Sequence, residues 1–200
     1  MERDTESITS SSVKFNPNPI NEAELIHVVG KWAKYNFGYK RAPHIGVIEE
    51  IGEAAHCVLK RIQGIRGFDD ENIFMEKFGD ALADGMIFLS DWCCQHNTYF
   101  RFGRAFPAIT IDDQNKIITH LLQATAMITL QADREPAERY DLKLVQESEF
   151  NMAAQRICTG FEMWAQVYGL DLRMLVAHTW AKVSQRDWVK NPGGPSTELA

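Results

Sequence analysis

No apolar run in these 200 residues approaches the roughly 20 needed to cross a bilayer. The opening Met1-Glu2-Arg3-Asp4-Thr5-Glu6 lacks the charged-then-apolar order of a secretory signal, and its acidity is unlike an Arg-rich transit peptide. No membrane association is expected, and the expected compartment is the cytoplasm. Positive charge is also scarce: 21 Lys and Arg stand against 27 Asp and Glu, a net charge of −6. A general binder of nucleic-acid polymers would show a basic stripe, so that class is disfavoured. A nucleotide ligand is not, because a metal ion can supply positive charge locally. The four cysteines (Cys57, Cys93, Cys94, Cys158) form no C-x-x-C pattern and sit in apolar helical stretches, as reduced cysteines do. No segment alternates with a period of two and no repeat stands out, which argues against sheet and solenoid folds.

What is present is helical periodicity. At 45% hydrophobic and 24% charged residues, the chain has the composition of one globular domain with a real core. Residues 1–19 are polar, end in Asn16-Pro17-Asn18-Pro19 and read as a loose arm, and residues 191–200 read as a tail. Residues 20–190 are predicted to form one all-α bundle of five to six helices. Asn21 caps a first helix to about Asn36, with Glu22 and Glu24 near its positive end. Pro43 opens a second that runs from about His44 to Ile62, ended by Gly64 and Gly67. Asp69 or Asp70 caps a third, to about His96, followed by an aromatic and basic connection over Tyr99–Pro107. Further helices are predicted from Asp112 or Asp113 to about Ala132, over Tyr140–Tyr168, and from Leu170 to Trp188.

Two acidic clusters carry the most chemistry: Glu49-Glu50-Ile51-Gly52-Glu53 and Asp80-Ala81-Leu82-Ala83-Asp84. Positions three or four apart share a helix face, so Glu50 points with Glu53, and Asp80 with Asp84. Facing each other, the four would repel by roughly 4 kcal/mol per pair at about 4 Å and an effective dielectric near 20. Divalent cations would hold such a group, and hard oxygen donors suit Mg²⁺ or Mn²⁺. The simpler account is solvated faces. On the second helix Ile48, Ile51, Ala55, Leu59 and Ile62 form an apolar stripe, and Glu50 and Glu53 lie roughly opposite it. The third helix favours the cation site. Between Ala81 and Cys94 only Asp84, Ser90 and Asp91 are strongly polar, and a buried carboxylate needs a partner. Asp80, Asp84 and Asp91 fall on one line. Gly46, Ala54 and Cys57 share the face of Glu50 and Glu53, and small residues let a second helix approach.

At these residues the chain resembles the all-α nucleoside triphosphate pyrophosphatases, the MazG-like group that includes dimeric dUTPases and dCTP pyrophosphatases. That family carries E-x-x-E on one helix and E-x-x-D on the next. Glu50-Ile51-Gly52-Glu53 matches the first element. The second departs from the pattern. With Asp80 as the family aspartate, the glutamate position holds Lys77; with Asp84 it holds Ala81. The following Met86-Ile87-Phe88-Leu89 favours Asp84, with Asp80 on the same face. Asn36-Phe37-Gly38 and Leu59-Lys60-Arg61-Ile62-Gln63-Gly64-Ile65-Arg66-Gly67 extend the likeness to about residues 25–95 and look like a subgroup of bacteria and phages. Residues 110–170 exceed the family's minimal four-helix core and take no role from it.

The resemblance implies Mg²⁺-dependent hydrolysis of a nucleoside triphosphate to the monophosphate and pyrophosphate, a housekeeping of the nucleotide pool. It implies Glu50, Glu53, Asp80 and Asp84 as metal ligands, with Mn²⁺ as an alternative ion, and Glu50 or Glu53 as the base. Glu49 points about 100° away from Glu50 and is expected at the surface or behind the ligands as a supporting residue. Lys182, Arg186 and Lys190, spaced by four, share one side if the last helix continues that far, and look like the family's phosphate-binding element. The plainer account is cations at a negative helix end. Trp32 or Phe37 is available for a base, although aromatics at helical spacing usually belong to the core. Short family chains pair, which implies a homodimer or homotetramer. Two competing readings remain. Glu53 and His56 have the E-x-x-H spacing of di-iron bundles, a site that needs a second such pair on a facing helix; His56 reads more simply as an ordinary packed histidine. The departure in the second acidic motif suits a catalytically impaired nucleotide-binding or assembly protein.

Overall fold

The structure, a computed structural model, describes residues 21–38, 41–103, 109–132 and 143–191. The predicted arm, the tail beyond Asn191 and the start of the predicted Tyr140–Tyr168 helix lie outside the described residues. Among the described residues six α-helices form the bundle and no strand occurs. The predicted all-α class is the observed one.

Local chemistry sets most helix ends. α1 (Glu22–Phe37) starts where Asn21 Oδ1 accepts from the amides of Ala23 at 2.9 Å and Glu24 at 3.3 Å. It stops at Gly38, whose φ of 64° suits a residue without a Cβ. α2 (Pro43–Ile62) opens on proline, where the missing amide has no helical partner to lose. α3 (Glu71–His96) is capped by Asp70, which accepts from the amides of Asn72 at 2.8 Å and Ile73 at 3.3 Å. α4 (Gln114–Ala132) follows a 3-10 turn at Ile111–Asp113, so the helix begins just after its predicted start. There Asp113 accepts from the Thr110 amide in a capping box instead of entering the α-helix. α5 (Lys143–Val167) and α6 (Leu172–Val183) follow in the described residues.

α6 is shorter than the predicted Leu170–Trp188. Asp171 takes the cap by accepting from the Met174 amide at 3.1 Å. At the other end, the Arg186 carbonyl accepts from the Trp32 indole and the Trp188 amide donates to Asn36 Oδ1. These long-range bonds take backbone groups that a longer helix would have used.

At 26 residues, about 39 Å long, α3 is the axis of the bundle and touches α1, α2, α5 and α6. Its buried Phe74, Phe78 and Trp92 pack with Phe161 and Trp164 of α5, and the Phe78 and Trp164 rings meet edge-on at 5.4 Å. α4 packs on α5 and α2.

α2 reverses the sequence expectation. Of the predicted stripe, Ile51 is buried and Ala55 half-buried, while Ile48, Leu59 and Ile62 are exposed. The inward arc is instead Gly46, Val47, Glu50, Ile51, Ala54, Cys57 and Val58. Helix packing rewards close backbone approach as well as apolar character, and small residues on this arc permit it.

Candidate functional site

The close approach brings the first glutamate into the bundle. A Cβ added to Gly85 of α3 would stand 2.6 Å from Phe161 Cζ and 3.3 Å from Glu50 Cβ, so Glu50 of α2 lies directly across that glycine. Glu50 is only 8% exposed. Burial first, and then the charges of Asp84, Glu53, Glu49 and Asp80, push its pKa up to about 8. Asp84 is half-buried, and its pKa rises to about 6, again through burial first and then Asp80, with Glu53 adding. Arg186 and Lys182 pull it back down. Glu53 and Asp80 are exposed at the rim. The structure thus brings Glu50, Glu53, Asp80 and Asp84 within electrostatic reach of one another.

Asp91 lies on the same line of α3 but belongs to a different arrangement. It is buried, with Oδ2 3.0 Å from Arg41 Nε and accepting from Gln95 Nε2 at 3.0 Å. Burial raises its pKa, and Arg41 and Gln95 oppose the rise. Nothing in the sequence pairs residues 50 positions apart, so Arg41 was not legible as its counter-ion.

The cations arrive from the far end of the chain. Lys182 lies in the last turn of α6 and Arg186 in the turn that follows, and both act on Asp84. A clamp onto α1 fixes this turn. Trp32 Nε1 donates to the Arg186 carbonyl at 3.0 Å, and the Trp188 amide donates to Asn36 Oδ1 at 2.7 Å. Trp32 also meets Trp180 edge-on at 5.8 Å. Lys190 departs from the expectation. α6 ends at Val183, so the shared helical face over Lys182, Arg186 and Lys190 does not form. Lys190 Nζ instead pairs with Asp187 at 2.9 Å on an exposed turn.

Between α1, α2, α3 and this turn lies a cavity of about 450 Å³. Glu50, Asp84 and Arg186 line it, together with Trp32, Phe37 and Trp188. The two aromatics of α1 are therefore cavity walls, and Trp188 joins them. Arg41 and Asp91 also line it. His56 is exposed, edge-on to Phe68 at 6.2 Å. Its place at the rim of α2 gives the di-iron reading no support.

The donor set fits a hard divalent cation in chemistry: four carboxylates, one deeply buried, with burial first and mutual repulsion second raising two pKa values. As placed, no three His, Cys, Asp or Glu side chains among the described residues converge on a single point that could hold a metal ion. Glu53 and Asp80 are the two exposed members of the set. Compared with family models, curated proteins and solved structures, the chain matches none.

Proposed function

We propose that this protein hydrolyses a nucleoside triphosphate to the monophosphate and pyrophosphate in a Mg²⁺-dependent reaction, as the MazG-like resemblance of residues 25–95 suggests. The observation that carries the reading is the buried Glu50 beside Asp84, with Glu53 and Asp80 at the rim and two cations opposite. Glu50, Glu53, Asp84 and Asp80 would hold Mg²⁺, with Mn²⁺ as an alternative. The ion would neutralise charge on the phosphates and lower the pKa of water in the site. Lys182 and Arg186 bind phosphate oxygens and orient the chain of phosphates along the groove. Glu50 or Glu53 takes the proton of the attacking water. Trp32, Phe37 and Trp188 give the base an apolar wall and keep bulk water out. The protein acts on free nucleotides in the cytoplasm, without a nucleic-acid polymer or membrane as partner.

The test is pyrophosphate release across a panel of ribo- and deoxyribonucleoside triphosphates, with and without Mg²⁺. Glu53→Ala and Asp84→Ala should each lower kcat/KM by on the order of 100-fold or more. Release from no nucleotide would leave the alternative, a nucleotide-binding or assembly protein. Full activity in both variants would move the reaction away from this groove.

A further inference from the structure

The aromatic and basic connection that follows α3 takes no part in the proposed chemistry. Burial alternates along its start: Thr98, Phe100 and Phe102 are buried, while Tyr99 and Arg101 are exposed. Two amide side chains, one turn apart on α5, pin this segment. Asn151 Oδ1 accepts from the Thr98 hydroxyl and from the Tyr99 amide, the latter at 3.3 Å. Gln155 grips the Arg101 backbone twice, accepting from its amide at 3.0 Å and donating to its carbonyl at 2.9 Å. Arg101 thus stands on a fixed backbone, with its guanidinium 5.7 Å from the centre of the Tyr99 ring.

Between this segment, α4 and α5 lies a second cavity, of about 630 Å³. Arg101 lines it from the segment, Arg156 from α5 and His120 from α4. His120 Nε2 is 3.1 Å from the Arg156 carbonyl, which can only accept, so the ring donates there and seats α4 against α5. Among the described residues no Asp or Glu lines the cavity, in a chain where acids outnumber bases by 27 to 21. Elsewhere Arg41, Arg61 and Arg173 each pair with a carboxylate. Arg101 and Arg156 have no carboxylate partner among the described residues. Arg156 Nη1 reaches the Met127 sulfur at 3.9 Å, a weak acceptor.

Two unmatched guanidinium groups on one concave surface call for an anion, and their planar forks match phosphate oxygens. The cavity exceeds what an inorganic phosphate fills and lies in the range of small organic ligands, roughly 300–1,000 Å³. Tyr99 and exposed Met152 supply apolar surface for the rest of such a ligand. A nucleic-acid strand would need a longer basic surface than two arginines provide, and the net charge of −6 opposes it. We propose that this cavity binds a small phosphate monoester, its phosphate on Arg101 and Arg156 and its organic part against Tyr99 and Met152. The cavity shares no lining residue with the carboxylate groove, so the site stands independently of the hydrolase reading.

The test is calorimetric titration of the full chain, in a chelator, with inorganic phosphate, ribose 5-phosphate and adenosine 5′-monophosphate. Each ester should bind at one site with a Kd of about 1 mM or below, and tighter than inorganic phosphate. Arg101→Gln/Arg156→Gln, both at exposed positions, should weaken binding by on the order of 10–100-fold while circular dichroism stays unchanged. Lys31→Gln/Arg66→Gln removes the same charge at exposed positions outside the cavity and should change the Kd by less than about twofold. Arg186→Ala, in the carboxylate groove, should leave binding intact. No ester binding below about 10 mM, esters no tighter than inorganic phosphate, equal weakening by the two double variants, or loss on Arg186→Ala would each overturn the proposal. So would a single-stranded oligonucleotide that binds tighter than the monophosphate, because the arginines would then hold a strand.

Discussion

Wedged against Gly85 and facing Asp84, Glu50 keeps its proton up to about pH 8, against an ordinary value of 4.5. Between those values the folded chain binds more protons than the unfolded one. Stability of the metal-free protein therefore falls as pH rises from 4.5 towards 8, and the contribution is whole only below 4.5. Glu50→Gln keeps the shape and removes the charge. In a chelator it should melt close to wild type at pH 5 and above it at pH 8.5, by a margin worth about 1–3 kcal/mol. Mg²⁺ should raise the wild-type melting temperature more at pH 8 than at pH 5.5, and should do little for Glu50→Gln. A variant that gains nothing at high pH would show that the carboxylate is solvated. The E-x-x-E spacing named this residue from sequence. Its burial was hidden, because the outer arc of α2 carries larger apolar side chains than the inner one.

The packing of α2, α3 and α5 makes a second prediction at the scale of elements. An alanine Cβ at position 85 would stand 2.6 Å from the buried Phe161 ring and 3.3 Å from Glu50 Cβ. Overpacking of about 1–3 kcal/mol should offset and exceed the ~1 kcal/mol that alanine gains over glycine in a helix. Gly85→Ala should therefore lower the urea midpoint and, by shifting Glu50, the activity. Gly79→Ala is the control, since its Cβ would meet only the mobile Cδ2 end of half-buried Leu175 at 3.1 Å. Equal midpoints for the two variants would mean that the helices are not as close as described. Helix starts were legible because the caps are local: Asn21, Pro43 and Asp70 each act within one turn. The end of α6 was not. It is set by Asn36 and Trp32, about 150 positions away in sequence, and no local pattern carries that information.

Across the whole molecule, α1 decides where the last cations stand. The turn bearing Arg186 is held only from α1 among the described side-chain bonds that cross between helices, through Trp32, Asn36 and Tyr35. Sequence alone suggested cations for the phosphates, and three at a spacing of four were candidates. The structure separates them, leaving Lys182 and Arg186 beside Asp84 and Lys190 with Asp187. Arg186→Ala should therefore raise KM for the triphosphate and lower kcat/KM by about 10–100-fold, the loss of one charge-assisted phosphate contact. Asn36→Ala removes the acceptor of the Trp188 amide and the donor to the Trp32 carbonyl. It should cost about 1–2 kcal/mol of stability and reproduce part of the KM effect without touching a charged group. Lys190→Ala should change kcat/KM by less than about twofold, because its exposed pair with Asp187 contributes little. If Lys190→Ala instead matched Arg186→Ala, the turn would have to swing towards the groove during turnover, and Asn36→Ala would then raise activity rather than lower it.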